Sequence, residues 1–280
     1  MQYSHFFKIC VSAAVILTIE SAALSKESTI WANGVSPSNS PDALHLSRGV
    51  QLANKQSYEK AAHEFMQCPN FDLLNPEAVE NVCNTFNQAE EYQQAIKIEN
   101  YMLERISKSK TIVDRSITGG IYGYRASSYS SLGKYDQALS DYKTAAKLKT
   151  QDATEFLYQA GDILRRKGRY QEAIEILDQS IACREWNPFP YKCRGVCLMA
   201  LGHEGDAIKS LNMAVKQVLA SRKTSPDAFT PLLLDSYKAL VICYKREKRI
   251  AQAREIQQKI SALTGSWDDT LFGAAVPNPR

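Results

Sequence analysis

Along the middle of the chain, apolar and small residues recur three and four places apart, break, and then recur. Tyr122, Ala126, Tyr129 and Leu132 fall on one face of a helix, because that spacing follows the helical period. Gly133 interrupts the pattern at a point where a left-handed backbone costs a glycine little. Tyr135, Ala138, Leu139, Tyr142 and Ala145 then mark a second amphipathic helix. Helix, short turn, helix predicts an antiparallel hairpin.

The phrase is repeated. LGKYDQALSDYKTAA, from Leu132 to Ala146, returns as KGRYQEAIEILDQSI, from Lys167 to Ile181. Tyr58, Tyr92, Tyr135 and Tyr170 are each followed three residues later by an alanine: Ala61, Ala95, Ala138 and Ala173. Two weaker copies pair Glu204 with Ala207 and Ile250 with Ala253. The steps between these six anchors are 34, 43, 35, 34 and 46 residues, so three share one period and two carry insertions. Self-similarity at such a period means a repeat architecture, in which one unit buries the apolar face of the next.

These residues resemble the tetratricopeptide repeat, a helix-turn-helix unit of 34 residues. In that family the eighth place is small, the eleventh bulky, the twentieth alanine, the twenty-fourth aromatic and the twenty-seventh small. Ala126, Tyr129, Ala138, Tyr142 and Ala145 fill those places in the third copy. Gly161, Leu164, Ala173, Leu177 and Ser180 fill them in the fourth, and Gly195, Leu198, Ala207, Leu211 and Ala214 in the fifth. The first copy has Gly49, Leu52, Ala61, Phe65 and Cys68. Glu99 and Gln257 depart from the pattern, standing in the aromatic place of the second and sixth copies. The resemblance implies an all-α fold, a right-handed α-solenoid of about six helix-turn-helix repeats. The repeats are expected near 42–75, 76–118, 119–153, 154–187, 188–233 and 234–264. The insertion before the third repeat is expected to lengthen helices. The one before the sixth, with Ser225-Pro226-Asp227 as its cap, is expected to elongate that repeat's first helix.

The ends read differently. MQYSHFFK precedes an uncharged apolar run from Ile9 to Ile19, and the small residues of SAALS follow. This is the layout of a signal peptide over residues 1–25, with cleavage after Ala23 or Ser25. The alternative is an uncleaved anchor, although the run is about half of the roughly 20 residues a spanning helix needs. Lys8 argues against lipidation of Cys10. The expected location is therefore outside the cytoplasm, periplasmic or secreted, with membrane association only through this N-terminal segment. Residues 26–41 read as a linker and 265–280 as a flexible tail, in which Trp267, Leu271 and Phe272 are positioned to dock on the last helix or on a partner.

A net charge of +4 from 34 basic and 30 acidic residues, with no Lys/Arg run, gives no footprint for nucleic acid. His63-Glu64 and His203-Glu204 lack the second histidine of a zinc-protease helix. No phosphate loop or nucleophile elbow is present in the sequence, and no cofactor is expected. His45, His63 and His203 read as solvated. Five of the six cysteines beyond the leader fall at small-hydrophobe places: Cys68, Cys83, Cys183, Cys197 and Cys243. Cys193 lacks that reason. Cys193 and Cys197, one helical turn apart, are too far separated to bridge, whereas a Cys183–Cys193 disulfide is feasible. A zinc site from Cys183, Cys193, Cys197 and His203 has a spacing that matches no known motif.

In the family, first helices line a groove that takes a segment of a partner protein. Carried onto this chain, that face has Glu80, Asn84 and Asn87, then Gly123, Ser127 and Ser130, then Tyr158, Asp162, Arg165 and Arg166. Lys192, Val196, Met199 and Lys238 follow. The set suggests a small-residue floor beside an arginine-bearing wall, with Asp162 spaced to pair with Arg165 and Arg166. The residues that clamp a chaperone's acidic tail are not matched: Leu46 and Val50 precede Asn81, and Gly120 and Tyr124 follow. The reading is a non-catalytic interaction scaffold or adaptor for a protein or peptide. The alternative is a helical enzyme or enzyme subunit whose active site has no recognisable motif.

Overall fold

The computed structural model describes residues 41–68, 76–109, 114–184, 186–221 and 230–264. The leader, the linker up to residue 40, the 265–280 tail and the Ser225-Pro226-Asp227 cap lie outside them. The described residues form twelve α-helices and one 3-10 turn, and contain no strand. In order the helices are α1 Pro41–Asn54, α2 Tyr58–Met66, α3 Pro76–Gln88, α4 Tyr92–Lys108, α5 Arg115–Ser131 and α6 Tyr135–Leu148. The 3-10 turn Thr150–Asp152 leads into α7 Ala153–Arg166, α8 Tyr170–Cys183, α9 Pro188–Ala200, α10 Glu204–Ser221, α11 Thr230–Arg246 and α12 Ile250–Thr264. The chain divides into two compact units, residues 1–134 with α1–α5 and residues 135–280 with α6–α12. The all-α helix-turn-helix solenoid fold implied by the repeats is the fold observed.

Six times, a first helix ends and a second begins through the same turn. One residue takes a left-handed backbone: Gln56 (φ 57°), Glu90 (φ 63°), Gly133 (φ 73°), Gly168 (φ 73°), Gly202 (φ 77°) and Lys248 (φ 59°). The next amide then donates back to a carbonyl of the helix it has just left. The pairs are Ser57 to Leu52, Glu91 to Phe86, Lys134 to Tyr129, Arg169 to Leu164, His203 to Leu198 and Arg249 to Tyr244, at 2.8–3.0 Å. This is the Schellman closure, which satisfies carbonyls that a helix end otherwise leaves open.

The places shared by the repeats are packing contacts. A Cβ built on Gly49 would lie 2.6 Å from Phe65, one on Gly161 2.7 Å from Leu177, and one on Gly195 2.7 Å from Leu211. The second helix comes so close that its bulky residue occupies the room of a methyl group on the first. Phe65, Leu177 and Leu211 are completely buried. So are the anchor alanines, from Ala61 to Ala253, at no more than 1% exposure. In the first unit Phe86 meets Phe65 edge-on, with centroids 5.8 Å apart, a geometry that adds to simple area burial.

The insertions lengthen helices, but not only where expected. α4 runs to Lys108, and α5 opens at Arg115 rather than near 119, because Asp114 accepts the Ser116 amide at 2.8 Å and caps the helix earlier. The later insertion extends the second helix of the fifth repeat, since α10 continues to Ser221, and α11 already begins at Thr230. The helices therefore run across the 118/119 and 233/234 boundaries.

Three of the six turns place an L-residue with a side chain in the left-handed region, where the Cβ clash costs about 1–2 kcal/mol. Lys248→Gly should therefore raise stability by up to about 1 kcal/mol, and Gly168→Ala should lower it by about 1 kcal/mol. Urea denaturation of the two variants checks the pair, and a loss of stability in Lys248→Gly contradicts the turn geometry.

Candidate functional site

In the first unit, α3 and α5 lie side by side and share polar side chains. Asn84 Nδ2 donates to the Tyr124 hydroxyl at 3.2 Å. Asn87 Nδ2 donates to the Cys83 carbonyl at 3.1 Å and to Glu99 Oε1 at 3.4 Å. The Ser128 hydroxyl is shared among Asn87 Oδ1 (3.3 Å), Glu99 Oε2 (3.4 Å) and the Tyr124 carbonyl (3.2 Å). Glu99, in the place where the first, third, fourth and fifth repeats carry an aromatic or a leucine, is completely buried, and it is reached there by a neutral amide and a hydroxyl. Burial first, and then the Glu99 and Glu80 carboxylates, push the neighbouring Cys83 thiol well above its ordinary pKa. Glu80 and Ser127 are half-buried. Gly123 is buried along α5, as are Gly119 and Gly120, and Ser130 is half-buried.

In the second unit, α7, α9 and α11 present the corresponding face. The rings of Tyr158 and Phe189 meet at 5.7 Å. Burial, and then the Asp162 carboxylate, raise the Tyr158 phenol well above its usual pKa. Asp162 accepts from Arg165 Nε at 2.9 Å and from Arg166 Nε at 2.7 Å, and the Cys193 sulfur lies 3.8 Å from its Oδ1. Lys192 reaches across to Asp235 at 3.4 Å. Glu155, on the same side of α7, accepts from Gln159 at 2.7 Å.

Several sequence-derived positions change meaning here. Met199 is 1% exposed and does not line an open face; it packs into the core, while its carbonyl accepts from Arg246 at 3.2 Å. Asp162 is buried, so the arginine wall is largely an internal ion-pair knot, with Arg166 its more exposed arm at 51%. Lys238 is half-buried. The cysteines invert at one pair: Cys193 is buried and Cys183 exposed, and all six in the described residues are free thiols. Cys183 ends α8, where the chain leaves the helix, whereas Cys193 lies on the side of α9 turned to Asp162. His45 is half-buried and bonded to Glu64 at 2.8 Å, not simply solvated. Among the described residues, no group of three or more His, Cys, Asp and Glu side chains is placed to hold a metal ion. Glu155, Phe189 and Asp235 were not singled out in sequence, although all three stand at the second place of their repeats.

Burial, opposed by the Gln159 hydrogen bond, leaves the Glu155 carboxyl above its ordinary pKa. A raised carboxyl binds its proton more tightly when folded, so its contribution to stability is present at low pH and is lost as pH rises through the folded value. Glu155→Gln should therefore raise the melting temperature at pH 7 and have no effect below about pH 4, where both states are protonated. Thermal melts across that range check the sign, and equal shifts at both ends contradict it.

Residues 125–187 match the family model of the tetratricopeptide repeat. No curated protein sequence matches the chain significantly. Among solved structures, BtubC (BKLC) from P. vanneervenii superposes with a TM-score of 0.58 at 15% identity, covering 87% of this chain and 96% of that one. YrrB, described as a tetratricopeptide-repeat protein with an unusual peptide-binding site, gives 0.52 at 17% identity, covering 71% and 90%. MamA from Desulfovibrio magneticus RS-1 gives 0.53 at 16% identity, covering 69% and 97%. At these identities the likeness is one of fold. With the same turn and the same close contacts recurring on both sides of the matched segment, the chain has the fold of stacked tetratricopeptide repeats.

Proposed function

We propose that the protein is a non-catalytic scaffold or adaptor outside the cytoplasm, and that it docks a segment of a partner protein on the face shared by neighbouring first helices within a unit. The observation that carries this reading is the way the sequence-derived positions meet across neighbouring first helices: Asn84 with Tyr124, Asn87 with Ser128, Tyr158 with Phe189, and Lys192 with Asp235. Side chains held by partners on the next helix are pre-positioned, which lowers the ordering cost of binding. The export half of the reading rests on the Lys8 leader and the Ile9–Ile19 run. Among the described residues, no helix is long and apolar enough to cross a membrane.

The face is tested by crosslinking partners to the full chain, comparing Arg166→Glu with Lys238→Glu against Lys209→Glu with Lys259→Glu on the second helices. The first pair should lose the crosslinked species and the second should keep it; the reverse outcome rejects the assignment. Fusing residues 1–25 to a reporter enzyme active only outside the cytoplasm should give activity, and a silent fusion rejects export.

A further inference from the structure

The first-helix face of the second unit carries an apolar strip between cations. On α9, Phe189 and Val196 share a stripe with Lys192, and on α11 Ile242 stands between Lys238 and Lys245, at the spacings of three and four that put side chains on one face. Phe189, Val196 and Ile242 are half-buried, and the Phe189 ring meets Tyr158 of α7 at 5.7 Å. Arg165, Arg166, Lys192, Lys238 and Lys245 outnumber Glu155, Asp162 and Asp235 there. Arg166 is 51% exposed although it bonds Asp162, so the face keeps positive charge within reach of a ligand. Such a surface fits a segment that combines aromatic and acidic side chains.

We propose that residues 265–272 of this same chain, GSWDDTLF, dock on that face and compete there with a partner's segment; the inference rests on the docking face proposed above. Trp267, Leu271 and Phe272 supply apolar groups, Asp268 and Asp269 supply the charge, and no Lys or Arg follows before Arg280. The attachment point is suitable. α11 and α12 are an antiparallel hairpin closed at Lys248, so Thr264, the last residue of α12, lies at the end of the hairpin where α11 begins and where Asp235 and Lys238 open the face. Eight residues span at most about 26–29 Å. Neighbouring helices pack about 8–10 Å apart, so the segment reaches α9 and, beyond it, α7. Tethering decides between this occupant and a second copy. A short tether gives an effective concentration of order 1 mM, so a contact with a Kd of about 0.1 mM as a separate peptide is about 90% filled within the chain.

The test places photoreactive benzoylphenylalanine at position 267 of the full chain, in place of Trp267, and maps its crosslinks by mass spectrometry. Mixing light and heavy chains separates contacts within a chain from contacts between chains. Crosslinks within one chain to α9 and α11, around Phe189, Val196 and Ile242, are expected. Asp268→Lys with Asp269→Lys should lower their yield at least about twofold, as repulsion replaces exposed ion pairs in a tethered contact. Arg166→Glu with Lys238→Glu should lower it likewise, and combining the two pairs should restore it. The proposal is overturned by crosslinks confined to the second helices, by crosslinks only between chains, by no crosslink, or by full yield in the Asp268→Lys, Asp269→Lys chain. That variant changes no helix residue, so it is read alone if the face variant does not fold. A partner that depends on Arg166 and Lys238, with no crosslink from position 267, ends this inference and leaves the docking face standing. A crosslink from position 267 to the face, with no partner sensitive to those residues, supports the inference and ends the partner reading.

Discussion

A pair of fourteen-residue helices such as α7 and α8 has more apolar surface than the two can hide in each other. Everything else in this protein follows from how that surface is covered. Gly161 lets Leu177 approach to the distance of a missing methyl group, and the buried Ala173 keeps the second helix equally near. The outer faces so produced fit only another hairpin of the same kind. Close approach inside each hairpin is thus what makes neighbouring copies necessary, and a stack of copies is stabilised by nearest-neighbour interfaces rather than by one central core.

The parts of the fold legible in sequence were those fixed by this contact. The Ala anchors and the small residues at Gly49, Gly161 and Gly195 follow from sterics that leave one class of residue, and Gly133, Gly168 and Gly202 mark turns that glycine adopts at least cost. Less legible were places where several residues tolerate the same geometry. Gln56, Glu90 and Lys248 make the same left-handed turn as the glycines, because a hydrogen-bonded closure offsets their strain. Helix ends at the insertions depended on which cap the chain used, and Asp114 took the role near a boundary that repeat counting put later.

The site was legible in outline and not in detail, for a related reason. Counting repeat places identifies which side of a first helix faces its neighbours, but not how deep each side chain sits. Met199 occupies a nominal face position and yet lies in the core. Asp162 is spaced for Arg165 and Arg166 and does bind them, but as a buried acceptor that holds Arg165 half-buried and leaves Arg166 exposed. Glu99 breaks the pattern in sequence, and the structure gives it hydrogen-bond donors from Asn87 and Ser128. Departures from a repeat therefore mark local chemistry that periodicity alone does not specify, and Cys193 is another such departure.

The central claim is that a hairpin of this chain has no stability of its own and acquires it from the next. Circular dichroism of residues 153–184 alone, compared with residues 153–221, measures this directly. The account predicts weak helicity and no cooperative melt for the single hairpin, and a sharp transition once the second is attached. A single hairpin that melts cooperatively near the temperature of the longer fragment would contradict it.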